Sequence, residues 1–286
     1  MNPIRYPAAR FYGPMWRLVS RVARWSGFRM LILHDVPPTE VDALDSLLQF
    51  LKSRRGIISP EQAEERLAAE GPRRRGQIPV LLTFDDGFRS NLDVARGVLE
   101  AHAVRALFFV CPGLVDTPGS EQRQSVETFV FPALPPPPAE RLALMSWDEI
   151  RELTSRGHTI GSHSLMHRRL SALSESDLNQ DISHSFVRLR EELGVSPKWF
   201  AYPFGDLRST SPAVLATASR HFQYVCSGLR GLNTPATSRL ALLRESIDLA
   251  APFHYIRMVA DGGLDLLYRL RARSLSAMAS EVLRAL

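Results

Sequence analysis

Ile78-Pro79-Val80-Leu81-Leu82-Thr83-Phe84-Asp85-Asp86-Gly87 decides how this chain folds. Seven residues without a charge read as a strand buried on both faces, and two carboxylates and a glycine stop it. Beyond it, a helical pattern over about Asn91–His102 leads to a second apolar run, Ala106–Val110. Strand, helix, strand is a parallel crossover unit, and the same alternation extends in both directions. Upstream, Arg29–Leu33 ends in His34-Asp35. Thr39–Leu51 then reads as a helix with Thr39 as its cap, and Ser59-Pro60-Glu61-Gln62 opens another with Ser59 as cap. Downstream come a helix near Trp147–Arg156, a strand at Thr159–Gly161, a helix at Glu175–Leu193 and a strand at Trp199–Tyr202. A helix near Ser211–Ser219, a strand at Gln223–Cys226 and a last helix ending near Leu286 complete the pattern. The fold class is therefore α/β with a parallel sheet, in which polar residues just past the carboxyl ends of the strands gather at one face.

Composition agrees. The 286 residues are 45% apolar and 23% charged, with 20 Pro and 17 Gly, which excludes collagen-like, coiled-coil and disordered chains. No apolar run reaches the 18 residues of a spanning helix. Two cysteines, Cys111 and Cys226, cannot form a disulfide framework and fit a reducing compartment. The net charge of +5 is local: residues 1–30 hold six arginines and no acid, leaving the other residues close to neutral. A nucleic-acid partner is not expected from so neutral a body. Between Pro14 and Gly27, apolar residues including Trp16 and Trp25 alternate with Arg17, Arg21 and Arg24. Two readings stand: a helix covering one end of the domain, or a foot on an anionic membrane surface.

Four strand ends carry polar groups: His34-Asp35, Asp85-Asp86, His163 and Pro203-Phe204-Gly205. Asp85-Asp86 at a turn brings both carboxylates to one cavity, one free to bind a cation and the other to take a proton; alone, it equally reads as an Asp-Gly turn with a capping Asp. His163-Ser164-Leu165-Met166-His167 supplies two imidazoles four residues apart, a spacing that puts both on one face of a helical turn. Combined, Asp86, His163 and His167 make a three-ligand catalytic metal site with an open position, and Asp85 becomes the acceptor of a proton from water.

With these motifs the chain resembles the polysaccharide deacetylases of the NodB-homology type, carbohydrate esterase family 4. The first family motif, TFDDG, stands at Thr83–Gly87, and the second, H-S/T-x-x-H, at His163–His167 after Gly157-His158-Thr159-Ile160-Gly161-Ser162. The third, of R-x-P-Y/F-G type, stands at Ala201-Tyr202-Pro203-Phe204-Gly205. The resemblance covers roughly residues 29–265. It implies a distorted (β/α) barrel of about seven parallel strands, with Asp85 as general base and Asp86, His163 and His167 as ligands of Zn2+ or another divalent metal such as Co2+. It also implies an oxyanion and substrate-binding segment at Tyr202, Pro203 and Phe204, with the Phe204 N–H as donor.

The chain departs from the family pattern in three places. The arginine of the third motif is Ala201. Arg244 either supplies that charge from another strand or forms a surface ion pair. The family's late Asp and Trp pair has no counterpart, and its late L-x-H histidine is not evident. Leu31–Val36 instead resembles the early YHDV segment of the exopolysaccharide and poly-N-acetylglucosamine branch, which makes His34 the general acid. The alternative is a histidine that only packs at a strand end.

The expected organisation is a basic segment at 1–28, a deacetylase domain at 29–265 with a loop insertion at 112–145 around Pro-rich Phe131–Pro138, and a C-terminal helix at 266–286. The expected activity is metal-dependent N-deacetylation of an N-acetylated amino sugar or glycan, which releases acetate. Two alternatives remain, hydrolysis of another amide or ester and an inactive glycan-binding member of the fold. The arginine-broken start is no secretory signal, so a cytoplasmic enzyme is expected. It would act on a lipid-linked sugar and touch the inner face of the membrane peripherally.

Overall fold

The computed structural model describes residues 27–69, 78–132, 135 and 137–286. Of the basic segment at 1–28, residues 1–26, with the expected helix or membrane foot between Pro14 and Gly27, lie outside the described residues. Seven parallel strands form one curled sheet: β1 Arg29–Leu33, β2 Val80–Phe84, β3 Leu107–Val110, β4 Thr159–Ser162, β5 Trp199–Ala201, β6 Tyr224–Cys226 and β7 Glu245–Ser246. The spatial order is β6-β5-β4-β3-β2-β1-β7. The gap between β6 and β7 is partly bridged by backbone: Leu242 pairs with Cys226, and Arg244 N–H donates to Leu229 O at 2.9 Å. This is the distorted (β/α) barrel that the sequence led us to expect.

The helices, in chain order, are α1 Val41–Arg54, α2 Pro60–Ala68, α3 Ser90–Val94, α4 Pro112–Asp116, α5 Gly119–Val130 and α6 Trp147–Ser155. They continue with α7 Glu175–Leu193, α8 Pro212–Ser219, α9 Phe253–Ala260 and α10 Asp265–Ala285. α3 runs on through a π-helical turn at Ala95–Leu99. Ser59 caps α2 as expected: its hydroxyl accepts from Gln62 N–H, and the Gln62 side chain returns the bond. Thr39 does not cap α1. Pro38 sets a 3-10 turn at Pro38–Glu40, and the α-helix starts after it.

Strand alternation divides the core in two. Met30, Leu81, Leu107, Phe109, Trp199, Ala201 and Cys226 fill the barrel interior, while Leu31, Leu33, Leu82, Phe84, Phe108 and Val110 pack outward against the helices. Gly161 makes room inside: a Cβ there would lie 2.7 Å from the Phe109 ring. The inward rows of β1 and β2 continue, past the strand ends, to His34 and Asp85. The site is thus the uppermost layer of the barrel filling.

The stretch 112–145, expected as a loop, contains α4, α5 and a 3-10 turn at Ala139–Arg141. It buries Leu114, Val126, Leu142 and Leu144 with Phe88 and Cys111 in a small core of its own, which rewards helix formation where composition alone suggests irregular chain. α9, which the sequence pattern did not indicate, buries Ile256, Met258 and Val259. No helix among the described residues is long and apolar enough to cross a membrane.

Candidate active site

At the end of β2, Asp85 keeps strand geometry, its N–H donating to Leu33 O at 2.9 Å, whereas Asp86 takes φ +74°. That left-handed step, unusual for a residue with a Cβ, turns two neighbouring carboxylates into one cavity. The histidines meet by a different device from the one expected. His163–His167 is not a helical turn. The loop reverses through Ser164 at φ +66° and His167 at φ +55°. The Ser164 hydroxyl accepts from His167 N–H at 3.0 Å, and the buried Asp181 carboxylate accepts from Leu165 N–H at 2.8 Å. Asp181 lies on the apolar stripe of α7 with Leu178, Ile182 and Ser185, so an acid in that row was the available signal for its role.

Asp86 Oδ1 lies 3.4 Å from His163 Nε2 and 3.3 Å from His167 Nε2, and all three side chains are buried. His163 Nδ1 is 2.7 Å from Ala201 O, and His167 Nδ1 is 2.8 Å from Phe129 O. Each imidazole therefore keeps its proton on Nδ1 and aims a lone pair from Nε2 at the same point, the tautomer a metal-ligating histidine needs. Burial pulls His163 down to about 3 and His167 down to about 4, so both are neutral ligands. Burial pushes Asp86 up to about 7. A buried carboxylate facing two neutral imidazoles gains its charge readily only beside a cation, so the donor set fits a divalent metal.

Asp85 is the electrostatic opposite. Burial penalises its charge, but Arg244 overcomes this and holds the carboxyl below its ordinary range. The guanidinium grips both oxygens, Nη1 to Oδ1 at 2.7 Å and Nη2 to Oδ2 at 2.9 Å. It is itself fixed by Ser227 O at 2.8 Å, Thr83 Oγ1 at 3.2 Å and the Phe109 ring at 4.9 Å. At 1% exposure Arg244 is no surface ion pair.

The third segment turns sharply. Phe204 has φ +63° and Gly205 φ +64°; a Cβ on Gly205 would come within 2.5 Å of the Gly228 backbone, so the turn requires glycine there. The Phe204 ring is clamped between the His167 ring at 4.8 Å and the Arg169 guanidinium at 4.5 Å. Tyr202 and Phe204 line the cavity. The Tyr202 hydroxyl is buried, with the Ser227 side chain as its polar neighbour. Pro203 is buried behind this wall and, having no N–H, can only shape it.

All these groups surround one cleft of about 550 Å³. His34 lines it from β1, with an exposed side chain and its backbone carbonyl held by Asn91 Nδ2 at 2.8 Å. The far wall was not read from sequence: Phe131, Pro135, Pro137 and Arg141 line it, with Arg141 paired to Asp35 at 2.5 Å. Its signal was the proline density, which stiffens a wall as well as breaking helices.

The model of a family described as polysaccharide deacetylase matches residues 73–223, just over half of the chain, including the Asp85-Asp86 turn, both histidines and the Phe204 turn. The chain belongs to the polysaccharide deacetylase family. A chitin deacetylase of Colletotrichum lindemuthianum is 27% identical over 125 residues, 44% of this chain and 41% of that protein. The matched stretches span 5% to 41% of the curated relatives' own lengths. Among solved structures, the deacetylase PplD of Streptococcus pyogenes, solved with acetate, superposes with a TM-score of 0.65 at 19% identity, over 82% of this chain and 98% of that one. IcaB of Ammonifex degensii gives 0.60 at 23% identity, over 84% and 98%. These likenesses establish the deacetylase fold for the chain.

Proposed function

We propose that this polysaccharide deacetylase removes the acetyl group from an N-acetylated amino sugar of a glycan by metal-dependent hydrolysis, giving a free amine and acetate. One observation carries the reading: the buried Asp86, His163 and His167 cluster beside a second carboxylate, Asp85, that an arginine keeps ionised. A binding module has no need of the second carboxylate.

Asp86, His163 and His167 would hold Zn2+, or Co2+ in its place. When bound, such an ion polarises the acetyl carbonyl and makes a water acidic enough to ionise near neutral pH. Asp85 accepts the proton of the attacking water, and Arg244 fixes the orientation and charge of that base. As the water oxygen bonds to the acyl carbon, negative charge develops on the carbonyl oxygen. The Phe204 N–H, at the left-handed turn, and the buried Tyr202 hydroxyl are the donors at hand for it. The C–N bond then breaks, and His34 at the cleft edge gives a proton to the departing amine. Pro203 keeps the donor segment rigid.

The Arg244–Asp85 pair also weighs against an inactive glycan-binding reading, because it restores the charge missing at Ala201. Acetate release from a panel of N-acetylated mono-, oligo- and lipid-linked sugars, with ester substrates in parallel, tests the proposal. Release from amino sugars, abolished by a chelator and restored by Zn2+, is expected. Release from esters alone would replace it with the second reading, and glycan binding without any release with the third.

A further inference from the structure

α10 has two apolar faces, of which the protein uses one. Leu275, Ala279 and Val282 are buried in the core that α8 shares, and Tyr268 and Met278 pack at its edge. On the opposite side, Leu266, Leu267 and Leu270 are 54%, 76% and 76% exposed. Spacings of three (Leu267 to Leu270) and four (Leu266 to Leu270) residues put these leucines on a single stripe along the first two turns. Arg269 and Arg273, one turn apart, flank it on one side, and Arg271 flanks it on the other. Arg269 and Arg273 make no ion pair or hydrogen bond among the described residues, while Arg271 lies over the Tyr268 ring at 5.6 Å. No acid occurs between Leu266 and Ser280.

The start of α10 is fixed in the barrel by charge. Arg29 Nη2 bonds Asp265 Oδ2 at 2.6 Å, and Arg29 Nη1 bonds the buried Glu245 at 2.9 Å. Because Arg29 opens β1, the leucine stripe lies toward the amino ends of the strands, opposite the cleft.

We infer that the outer face of α10 docks on an anionic lipid surface. Exposed leucines between unpaired arginines, without an acid, are the composition of a helix lying in a membrane interface, its apolar side among the acyl chains and its guanidiniums at the phosphates. The other occupants conflict with the charge. Residues 1–26 laid on the stripe, or a second copy of the chain across it, would set arginine against arginine. Docked this way, the protein presents its cleft away from the lipid.

Cosedimentation of the full chain tests this, with vesicles of phosphatidylcholine alone or mixed with phosphatidylglycerol. One variant carries Leu266→Ser, Leu267→Ser and Leu270→Ser, and another Arg269→Gln and Arg273→Gln. Both should keep the parent melting temperature, because the replaced side chains are exposed. The parent should bind the anionic vesicles only, and each variant should partition at least about tenfold less. The inference is overturned if the parent does not bind. It is also overturned if the leucine variant binds as the parent does, since residues 1–26 then act alone. Sedimentation velocity showing a dimer that the leucine variant dissociates, without vesicle binding, would assign the face to a second copy. Binding only to an acidic protein would overturn the inference in favour of that partner.

Discussion

Replacing Arg244 by Met should cost this protein more stability than the loss of any surface ion pair. Met keeps an apolar stem against Phe109 but removes the fork that holds both oxygens of Asp85 at 2.7 and 2.9 Å. Asp85 would be left buried, at 3% exposure, without its cation. Removing one partner of a buried, hydrogen-bonded pair costs about 3–5 kcal/mol. For a domain of this size each kcal/mol lowers the melting temperature by roughly 2–4 °C, so a fall of roughly 6–20 °C is expected. Adding Asp85→Asn should recover part of that loss, because the unpaired charge is gone, and a double-mutant cycle should give a coupling energy of about 2–3 kcal/mol. Arg244→Lys, with the charge but not the fork, should fall between parent and Met. Thermal melts followed by circular dichroism provide the numbers. If Arg244→Met melts within about 2 °C of the parent and the two substitutions are additive, the pair behaves like an exposed salt bridge and the account of Asp85 is wrong.

Three further outcomes are expected. His163→Ala with His167→Ala should abolish Zn2+ binding measured by calorimetry while the fold persists; full zinc occupancy would remove these residues from the ligand set. His34→Gln should lower the rate by ~10² with little change in metal content or melting temperature, and an unaltered rate would make His34 a packing residue. His158 accepts a hydrogen bond from Ala106 N–H at 3.1 Å, and burial pulls it down to about 4. Its free value is ~6.5, so its contribution to stability is complete above that pH and is lost as the pH falls toward about 4. The melting temperature should therefore drop between pH 7 and 4, and less steeply in His158→Gln; equal slopes would refute the linkage.

What the sequence disclosed divides along physical lines. Alternating apolar strands and capped helices are local patterns, so β1 to β6 and most helices were legible, as was the Ser59-Gln62 cap. The grouping of Asp85, Asp86, His163 and His167 was also legible, because strand ends in a parallel sheet share one face. How the histidines meet was not. Spacing suggests a helical turn, whereas Ser164 and His167 adopt left-handed backbone under restraint by Asp181, a contact 16 residues from Leu165. Arg244 remained open for the same reason, being 159 residues from Asp85. The segment 112–145 was misread as a loop because its helices are stabilised by a small tertiary core and not by strong local periodicity. Its consequence for the site, Phe129 O steering His167 Nδ1, is a backbone contact that leaves no trace in residue type.

The most direct test of the account is acetate released from an N-acetylglucosamine oligomer by Zn2+-loaded protein, compared with Asp85→Asn at the same zinc occupancy. Asn keeps the shape of the base but cannot take a proton. The account predicts release by the parent and a fall of ~10² or more in the variant with zinc still bound. Equal rates from the two zinc-loaded proteins would contradict it.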